Sequence, residues 1–339
     1  MRWSRRKVLG AGAVLAASPL LGAATEVTPR IRRVAPGLDR VLDASQPVET
    51  LVTGIRWAEG PIWVPNGSFL LFSDPPANIM RKWSRKDGAS IFLQPSGLPN
   101  PDYKLIREPG SNGLGIDAQG RLIIADSGSH ALVRYDFATR TRTTLVDRFE
   151  GKRLNSLNDV HVARSGAIYF TDPPYGFTQG DASPLKEAPV NGVYRWSPDG
   201  KVVLIDGAQS RPNGIALSPD EKRLFVSVSD EKAPRVIVYE LDAKGLATQS
   251  RIWLDAKPML GPGRAGLPDG MKIAAEGTHF QSVPGGMGVF TPDAELLGMI
   301  ETGAPIANCA FGEDGRTLFL TANDRILALR LRIDGPRRG

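Results

Sequence analysis

Cysteine and histidine are scarce in this chain. Its 339 residues include one cysteine, Cys309, and three histidines. An internal disulfide is therefore impossible, and zinc sites built from thiolate and imidazole ligands are disfavoured. The sequence also lacks an amphipathic helix of three turns, a Ser-His-acid arrangement and a glycine motif of the phosphate-binding kind. These absences exclude the common helical folds and the usual covalent hydrolase sites.

Positive charge is concentrated at the N-terminus. The net charge is +6, but Arg2, Arg5, Arg6 and Lys7 lie in one short segment, and without them 38 basic residues face 36 acidic ones. A nearly neutral remainder has no general electrostatic footprint for nucleic acid. We therefore expect no nucleic-acid partner.

The first 24 residues have the pattern of a twin-arginine (Tat) signal peptide. "SRRKVLG" precedes the apolar stretch "AGAVLAASPLLGAA", which ends in small residues. We expect cleavage near Ala24, export through the Tat machinery to the periplasm, and no stable membrane insertion afterwards, since the stretch is short for a membrane span. Residues 25–45, with Pro29, Pro36 and several arginines, are interpreted as a linker.

The remainder, residues 46–333, contains six similar units. In each unit an acid or amide precedes a short apolar run, a turn and a second apolar run; these residues are Glu59, Asn112, Asn158, Asn213, Asp269 and Asn308, separated by 53, 46, 55, 56 and 39 residues. Short strands repeated with a period near 45 residues are typical of a β-propeller. The fold is predicted to be all-β, a six-bladed β-propeller in one domain.

The six polar residues are expected to form a ring at one mouth of the central channel, because the first strand of each blade lines that channel. A set of carboxylate and amide oxygens suits a hard divalent cation, Ca²⁺ above all, with Zn²⁺, Mg²⁺ and Mn²⁺ as alternatives. The competing interpretation is that the six residues only cap strand starts. Hairpin geometry also brings Asp172, in "FTDPPYG", towards Asn158, and Tyr175 to the edge of the mouth.

At these residues the chain resembles the gluconolactonase branch of the regucalcin-like (senescence marker protein) lactonases and, more distantly, phosphotriesterase-like propellers. The segments that match are "WAEGPIWVPNGSFLLFSDPPANIMRKW", "SNGLGIDAQGRLIIAD", "GKRLNSLNDVHVARSGAIYFTDPPYG", "RPNGIALSPDEKRLFVS", "LPDGMKI" and "NCAFGEDGRTLFLTA". They run in order from about residue 55 to residue 330.

The resemblance implies one divalent cation at the channel mouth, with Glu59, Asn213 and Asp269 as ligands and Asn158 contacting the metal or the substrate. It implies hydrolysis of a sugar lactone such as glucono-1,5-lactone, with Asp269 as the general base or, in a rival mechanism, as the nucleophile. Asn112, Asn158, Asp172 and Tyr175 are the candidate substrate-binding residues.

The chain departs from the animal relatives at Ser156, where they have an arginine, so the substrate contacts of that arginine do not carry over. Two other functions stay open: a phosphotriesterase-like or other ester hydrolase with the same polar ring, and a non-catalytic calcium- or ligand-binding propeller. His161 lies in register with residues of mixed type and is interpreted as a packing residue between blades.

Replacing Arg5 and Arg6 together with lysine is expected to leave the precursor in the cytoplasm, because the twin arginine is an address read by a receptor. Cell fractionation and immunoblotting check this, with Arg2→Lys as the matched control. Normal delivery of the double variant would show that the segment is not a Tat signal.

Overall fold

Short antiparallel strands make up most of the regular structure. The computed structural model describes residues 28–336, so the predicted signal peptide lies outside the described residues. The first described elements are a strand, a single helical turn and a second strand: β1 (Arg30–Arg33), α1 (Leu38–Val41) and β2 (Glu49–Val52). No helix within residues 28–336 is both long enough and apolar enough to cross a membrane.

The first three blades are four-stranded sheets in chain order. Blade one contains β3 (Glu59–Val64), β4 (Phe69–Asp74), β5 (Ile79–Ser84) and β6 (Gly88–Leu93). Blade two contains β7 (Ser111–Ile116), β8 (Leu122–Asp126), β9 (Ala131–Tyr135) and β10 (Arg142–Val146). A small hairpin, β11 (Arg148–Phe149) and β12 (Lys152–Arg153), leads to blade three, which contains β13 (Val160–Val162), β14 (Ile168–Asp172), β15 (Gly192–Trp196) and β16 (Val202–Asp206).

The last three blades repeat the arrangement, and the N-terminal strands complete two of them. Blade four contains β17 (Pro212–Leu217), β18 (Arg223–Val228), β19 (Arg235–Leu241) and β20 (Ala247–Asp255). Blade five contains β21 (Met271–Ile273), β22 (His279–Val283), β23 (Gly286–Phe290), β24 (Leu296–Glu301) and, at its edge, β1. Blade six contains β25 (Ile306–Gly312), β26 (Thr317–Ala322), β27 (Arg325–Arg330) and β2.

Four single 3₁₀ turns lie in the connections, at Pro65–Gly67, Pro75–Ala77, Gly180–Ala182 and Lys257–Met259. The six first strands contact one another in sequence around the centre, and β25 closes the ring against β3. The prediction of a six-bladed propeller is confirmed. Since each first strand begins at the same end of the channel, residues at the strand starts share one mouth.

The ring is closed by strand pairing and by aromatic packing. In blade six β2 pairs with β27, with Thr50 opposite Leu327, so that one sheet joins the two ends of the domain. Between blades six and one the rings of Trp63 and Phe319 stack with centroids 5.7 Å apart. Offset aromatic stacking of this kind adds to the free energy gained by burying the rings.

The segment interpreted as a linker is in part an integral element of the propeller, and the prediction for residues 25–45 needs correction there. β1 pairs with β24, with Ile31 opposite Ile300. Leu38, Val41 and Leu42 are fully or almost fully buried in the core between blades five and six. A single helical turn is too short to give a periodic apolar pattern, and the surrounding arginines and prolines made the segment look polar.

Leu38→Ala is expected to lower the free energy of unfolding by about 3 kcal/mol, because it removes buried methyl groups and leaves a cavity. Arg40→Ala, on the exposed side of the same turn, is the control and should change it by less than about 0.5 kcal/mol. Denaturant unfolding compares the two. Equal stability of both variants would show that the segment does not belong to the folded core.

Candidate functional site

Five of the six predicted ring residues line one cavity. It has a volume of about 1240 Å³ and lies at the mouth where the first strands begin. Its polar floor consists of Glu59, Asn112, Asn158, Asn213 and Asp269, and Tyr175 also lines it. A cavity of this kind, with convergent polar groups from several blades, is the expected form of a ligand site.

Buried hydroxyl groups fix the backbone at the strand starts. In three blades the second strand carries a serine or threonine whose hydroxyl donates to the carbonyl oxygen of the ring residue of the next blade. The pairs are Ser73 to Asn112 at 2.8 Å, Thr171 to Asn213 at 2.6 Å, and Ser227 to Asp269 at 2.6 Å. Each of these three ring residues is therefore held by its neighbouring blade as well as by its own strand.

Glycines directly after ring residues let the blades approach closely. The Gly113 N–H donates to the Asn158 carbonyl at 2.7 Å, and a Cβ at Gly113 would lie 2.6 Å from that oxygen. At Gly214 a Cβ would lie 2.3 Å from the Asp269 carbonyl oxygen. Both distances are too short for any other residue, so these glycines set the width of the mouth.

Three amide or carboxylate oxygens in this cavity are buried and have no hydrogen-bond donor among the described residues. They are Asn112 Oδ1, Asn213 Oδ1 and Asp269 Oδ1. The orientation of Asn213 is fixed, because its Nδ2 donates to Ser229 Oγ at 2.9 Å. A buried acceptor without a donor costs about 1–3 kcal/mol. Such oxygens are suited to a cation or to the hydroxyl groups of a ligand.

Burial raises the pKa of both carboxylates on the floor of this mouth, Glu59 and Asp269. Glu59 accepts hydrogen bonds from the Gly60 N–H at 3.1 Å and from Trp57 Nε1 at 3.3 Å, yet burial raises its pKa, and the charge of Asp159 raises it further. Burial also raises the pKa of Asp269 well above its ordinary value, followed by repulsion from Glu59 and Asp159. A positive charge at this mouth would relieve the strain of both carboxylates.

The donor set fits a hard divalent cation better than zinc. It consists of carboxylate and amide oxygens only, and no group of three His, Cys, Asp or Glu side chains within residues 28–336 is arranged to hold a metal. Ca²⁺ accepts neutral carbonyl oxygens and water beside a few carboxylates. The residues able to hold such an ion are Glu59, Asn158, Asn213 and Asp269.

Asn308, the sixth ring residue, does not line this cavity. Its amide lies further down the channel, where Nδ2 donates to Asp159 Oδ2 at 3.3 Å and Oδ1 accepts from Lys272 Nζ at 3.3 Å. Asn308 is the third residue of β25, whereas Glu59 is the first of β3. The deeper position along the strand takes it away from the mouth.

Asp172 does not line the cavity either. It is fully buried, and its Oδ2 accepts the Asn155 N–H at 2.8 Å; burial raises its pKa to about 7. Its contact is with the segment that leads to Asn158. Nearby, Ser156 Oγ donates to the Pro173 carbonyl at 2.6 Å and accepts the Gly176 N–H at 2.8 Å, so Ser156 braces the loop that carries Tyr175.

Sequence reasoning missed several residues of the cavity rim. Trp57, Glu108, Arg211 and Ser229 line the cavity. Glu108 forms an ion pair with Arg107 at 3.0 Å, and Arg211 forms one with Asp181 at 2.5 Å. The irregular stretches 94–111, 175–191 and 256–268 all contribute lining residues. Loops have no periodic pattern, so individual residues in them could not be chosen.

Comparisons with known proteins agree with the fold and with the resemblance. The family model described as "SMP-30/Gluconolactonase/LRE-like region" matches residues 57–324. A gluconolactonase of Zymomonas mobilis subsp. mobilis is 46% identical over 98% of this chain and 99% of its own length.

Solved structures give the same result. A gluconolactonase from Xanthomonas campestris is 31% identical with a TM-score of 0.76, covering 89% of this chain and 95% of its own. A calcium-binding protein, regucalcin, from Agrobacterium tumefaciens has a TM-score of 0.64 at 20% identity, covering 85% of this chain and 94% of its own. At that identity the likeness concerns the fold.

Glu59 is expected to make the protein, freed of divalent cations by chelation, less stable as the pH rises. A carboxyl whose pKa is raised by folding binds more protons in the folded than in the unfolded state, so the free energy of unfolding falls as the pH rises above the ordinary value of 4.5. Glu59→Gln should reduce this decline between about pH 5 and about pH 8 by on the order of 2 kcal/mol. Urea unfolding at a series of pH values measures it.

Glu295→Gln is the matched control for this experiment. Glu295 is exposed, and its replacement should leave the pH dependence unchanged. If Glu59→Gln kept the wild-type decline, the Glu59 carboxyl would not be strained in the folded protein.

Proposed function

The chain belongs to the SMP-30/gluconolactonase/LRE-like family, and we propose that it hydrolyses a sugar lactone, such as glucono-1,5-lactone, in the cavity lined by Glu59 and Asp269. Family membership and the near full-length similarity to a gluconolactonase support lactone hydrolysis. The observation that carries the site is the set of buried, unpaired oxygens of Asn112, Asn213 and Asp269 in one cavity.

We propose further that the mouth holds one divalent cation, most favourably Ca²⁺, through Glu59, Asn158, Asn213 and Asp269. When bound, a divalent cation supplies Lewis acidity for the lactone carbonyl and stabilises negative charge that develops on its oxygen. The raised pKa values of Glu59 and Asp269 support this assignment, because they indicate acidic groups without a positive partner. The calcium-binding relative supports it at the level of the fold.

Asp269 is the residue proposed to take the proton from the attacking water. Its Oδ1 is buried and has no donor among the described residues, so it is free to accept a proton or a hydrogen bond from water. A general base works best when its pKa lies near the working pH, and burial beside Glu59 moves the pKa of Asp269 in that direction. No covalent nucleophile is required, because a lactone already has an activated carbonyl.

Substrate orientation is assigned to Asn112, Asn158 and Tyr175. All three line the cavity, and Asn112 Oδ1 is available to accept a hydrogen bond from a sugar hydroxyl. Asp172 is outside the cavity lining, so we assign it an indirect role through the segment that precedes Asn158. Periplasmic delivery by the Tat machinery remains part of the proposal and rests on residues 1–24.

The test combines cation binding with turnover. Chelated wild-type protein should bind about one equivalent of Ca²⁺ in isothermal titration calorimetry and should open glucono-1,5-lactone only after the cation is restored. Asn213→Ala should weaken Ca²⁺ binding by about tenfold or more, since it removes a ligand oxygen. Asp269→Asn should lower kcat by about 10²-fold or more, and Asn158→Ala should lose turnover more through substrate positioning than through cation binding.

His161→Ala is the control, because His161 does not line this cavity, and it should retain most of the rate. Full activity of the chelated wild type would refute the role of the cation. Loss of turnover in a folded, calcium-loaded His161→Ala protein would refute Asp269 as the base.

A further inference from the structure

A second cavity lies at the opposite end of the channel. Its volume is about 510 Å³, and it shares no lining residue with the first cavity. The later parts of the first strands form apolar walls, including Ile62, Leu114, Val162, Leu217 and Ile273. This volume lies within the range usual for small-molecule sites.

Nearly all the charges around this second cavity are neutralised. Seven charged side chains line it, and six of them are in ion pairs. The pairs are Asp117–Arg121 at 2.8 Å, Arg164–Glu221 at 3.4 Å, Glu313–Arg85 at 2.5 Å, Asp314–Arg330 at 2.6 Å and Asp334–Arg316 at 2.7 Å. The seventh is Lys272.

Lys272 has no carboxylate within ion-pair distance among residues 28–336. Its Nζ donates to two neutral oxygens, the Met271 carbonyl at 3.0 Å and Asn308 Oδ1 at 3.3 Å. The amide of Asn308 separates it from Asp159, the carboxylate beyond. An ammonium group has three donors, so one remains for a ligand in the cavity.

His161 lines the same cavity and adds a neutral donor. The Leu217 N–H donates to His161 Nδ1 at 3.4 Å, so Nδ1 is the acceptor nitrogen and the ring proton is assigned to Nε2. Burial and the charge of Lys272 hold the pKa of His161 at about 3. The imidazole is therefore neutral at physiological pH, with an N–H to donate.

We propose that this second cavity binds a small organic anion, an aryl or branched-alkyl carboxylate, with its carboxylate on Lys272 and His161. Its apolar part would lie against Ile62, Leu114 and Leu217. A neutral ligand would leave the ammonium without a counter-charge, and an inorganic anion would leave the apolar walls unfilled. The proposal does not depend on lactone hydrolysis at the other mouth.

Phenylacetate is the probe, and the imidazole signals of the protein are the readout. The chain has three histidines, so ¹H–¹⁵N spectra resolve His161 from the other two. Phenylacetate should shift the His161 signals in a saturable, one-site manner while the other two stay in place. Phenylacetamide, the neutral isostere, should bind at least about tenfold more weakly, since it lacks the charge that pairs with Lys272.

Lys272→Met should weaken phenylacetate binding at least about tenfold, and Lys272→Arg should retain it. Lys201→Met is the matched control and should bind like the wild type, because Lys201 is exposed and lines neither cavity. The proposal is overturned if phenylacetate gives no saturable shift of His161, or if phenylacetamide binds equally well. It is also overturned if Asp269→Asn, rather than Lys272→Met, abolishes binding, because the anion would then occupy the other mouth.

Discussion

Burial of two carboxylates, Glu59 and Asp269, at one mouth of the channel is the constraint on which the rest of the site depends. They come from blades one and five and reach the same mouth because the propeller closes on itself. Burial removes their hydration, and Asp159 in the channel below adds a third negative charge. A closed ring of sheets can hold such groups together, since no blade can move outward alone. Because the two carboxylates lie in one small volume, a positive charge bound there would stabilise both of them.

The polar contacts around this mouth fix its backbone and leave its side-chain oxygens unpaired. Hydroxyl groups of neighbouring blades, such as those of Ser73 and Thr171, donate their hydrogen bonds to backbone carbonyl oxygens and not to these side chains. Ser229 Oγ accepts a hydrogen bond from the amide nitrogen of Asn213, and this contact directs the amide oxygen into the cavity. A site prepared in this way would bind a cation with little rearrangement, because folding has already oriented the oxygens that would hold it.

Much of this could be predicted from the sequence, because the repeat places equivalent residues at equivalent strand starts. The repeat correctly predicted that Glu59, Asn112 and Asp269 share one mouth. The prediction was wrong for Asn308, because β25 begins at Ile306, before this residue, and the pairing register shifts between the two. The rim residues could not be predicted, because loops have no period. The serines and threonines near the ends of the second strands are the sequence signal for these contacts between blades.

We propose that the unpaired oxygens at this mouth form the site of one cation in an active lactonase. The most direct measurement is anomalous diffraction from crystals of the chelated protein grown with calcium. We expect one strong calcium peak, in contact with oxygens of Glu59, Asn213 and Asp269. Crystals of active, calcium-supplied protein without a peak in this cavity, or with the calcium peak at the Lys272 end of the channel, would contradict it.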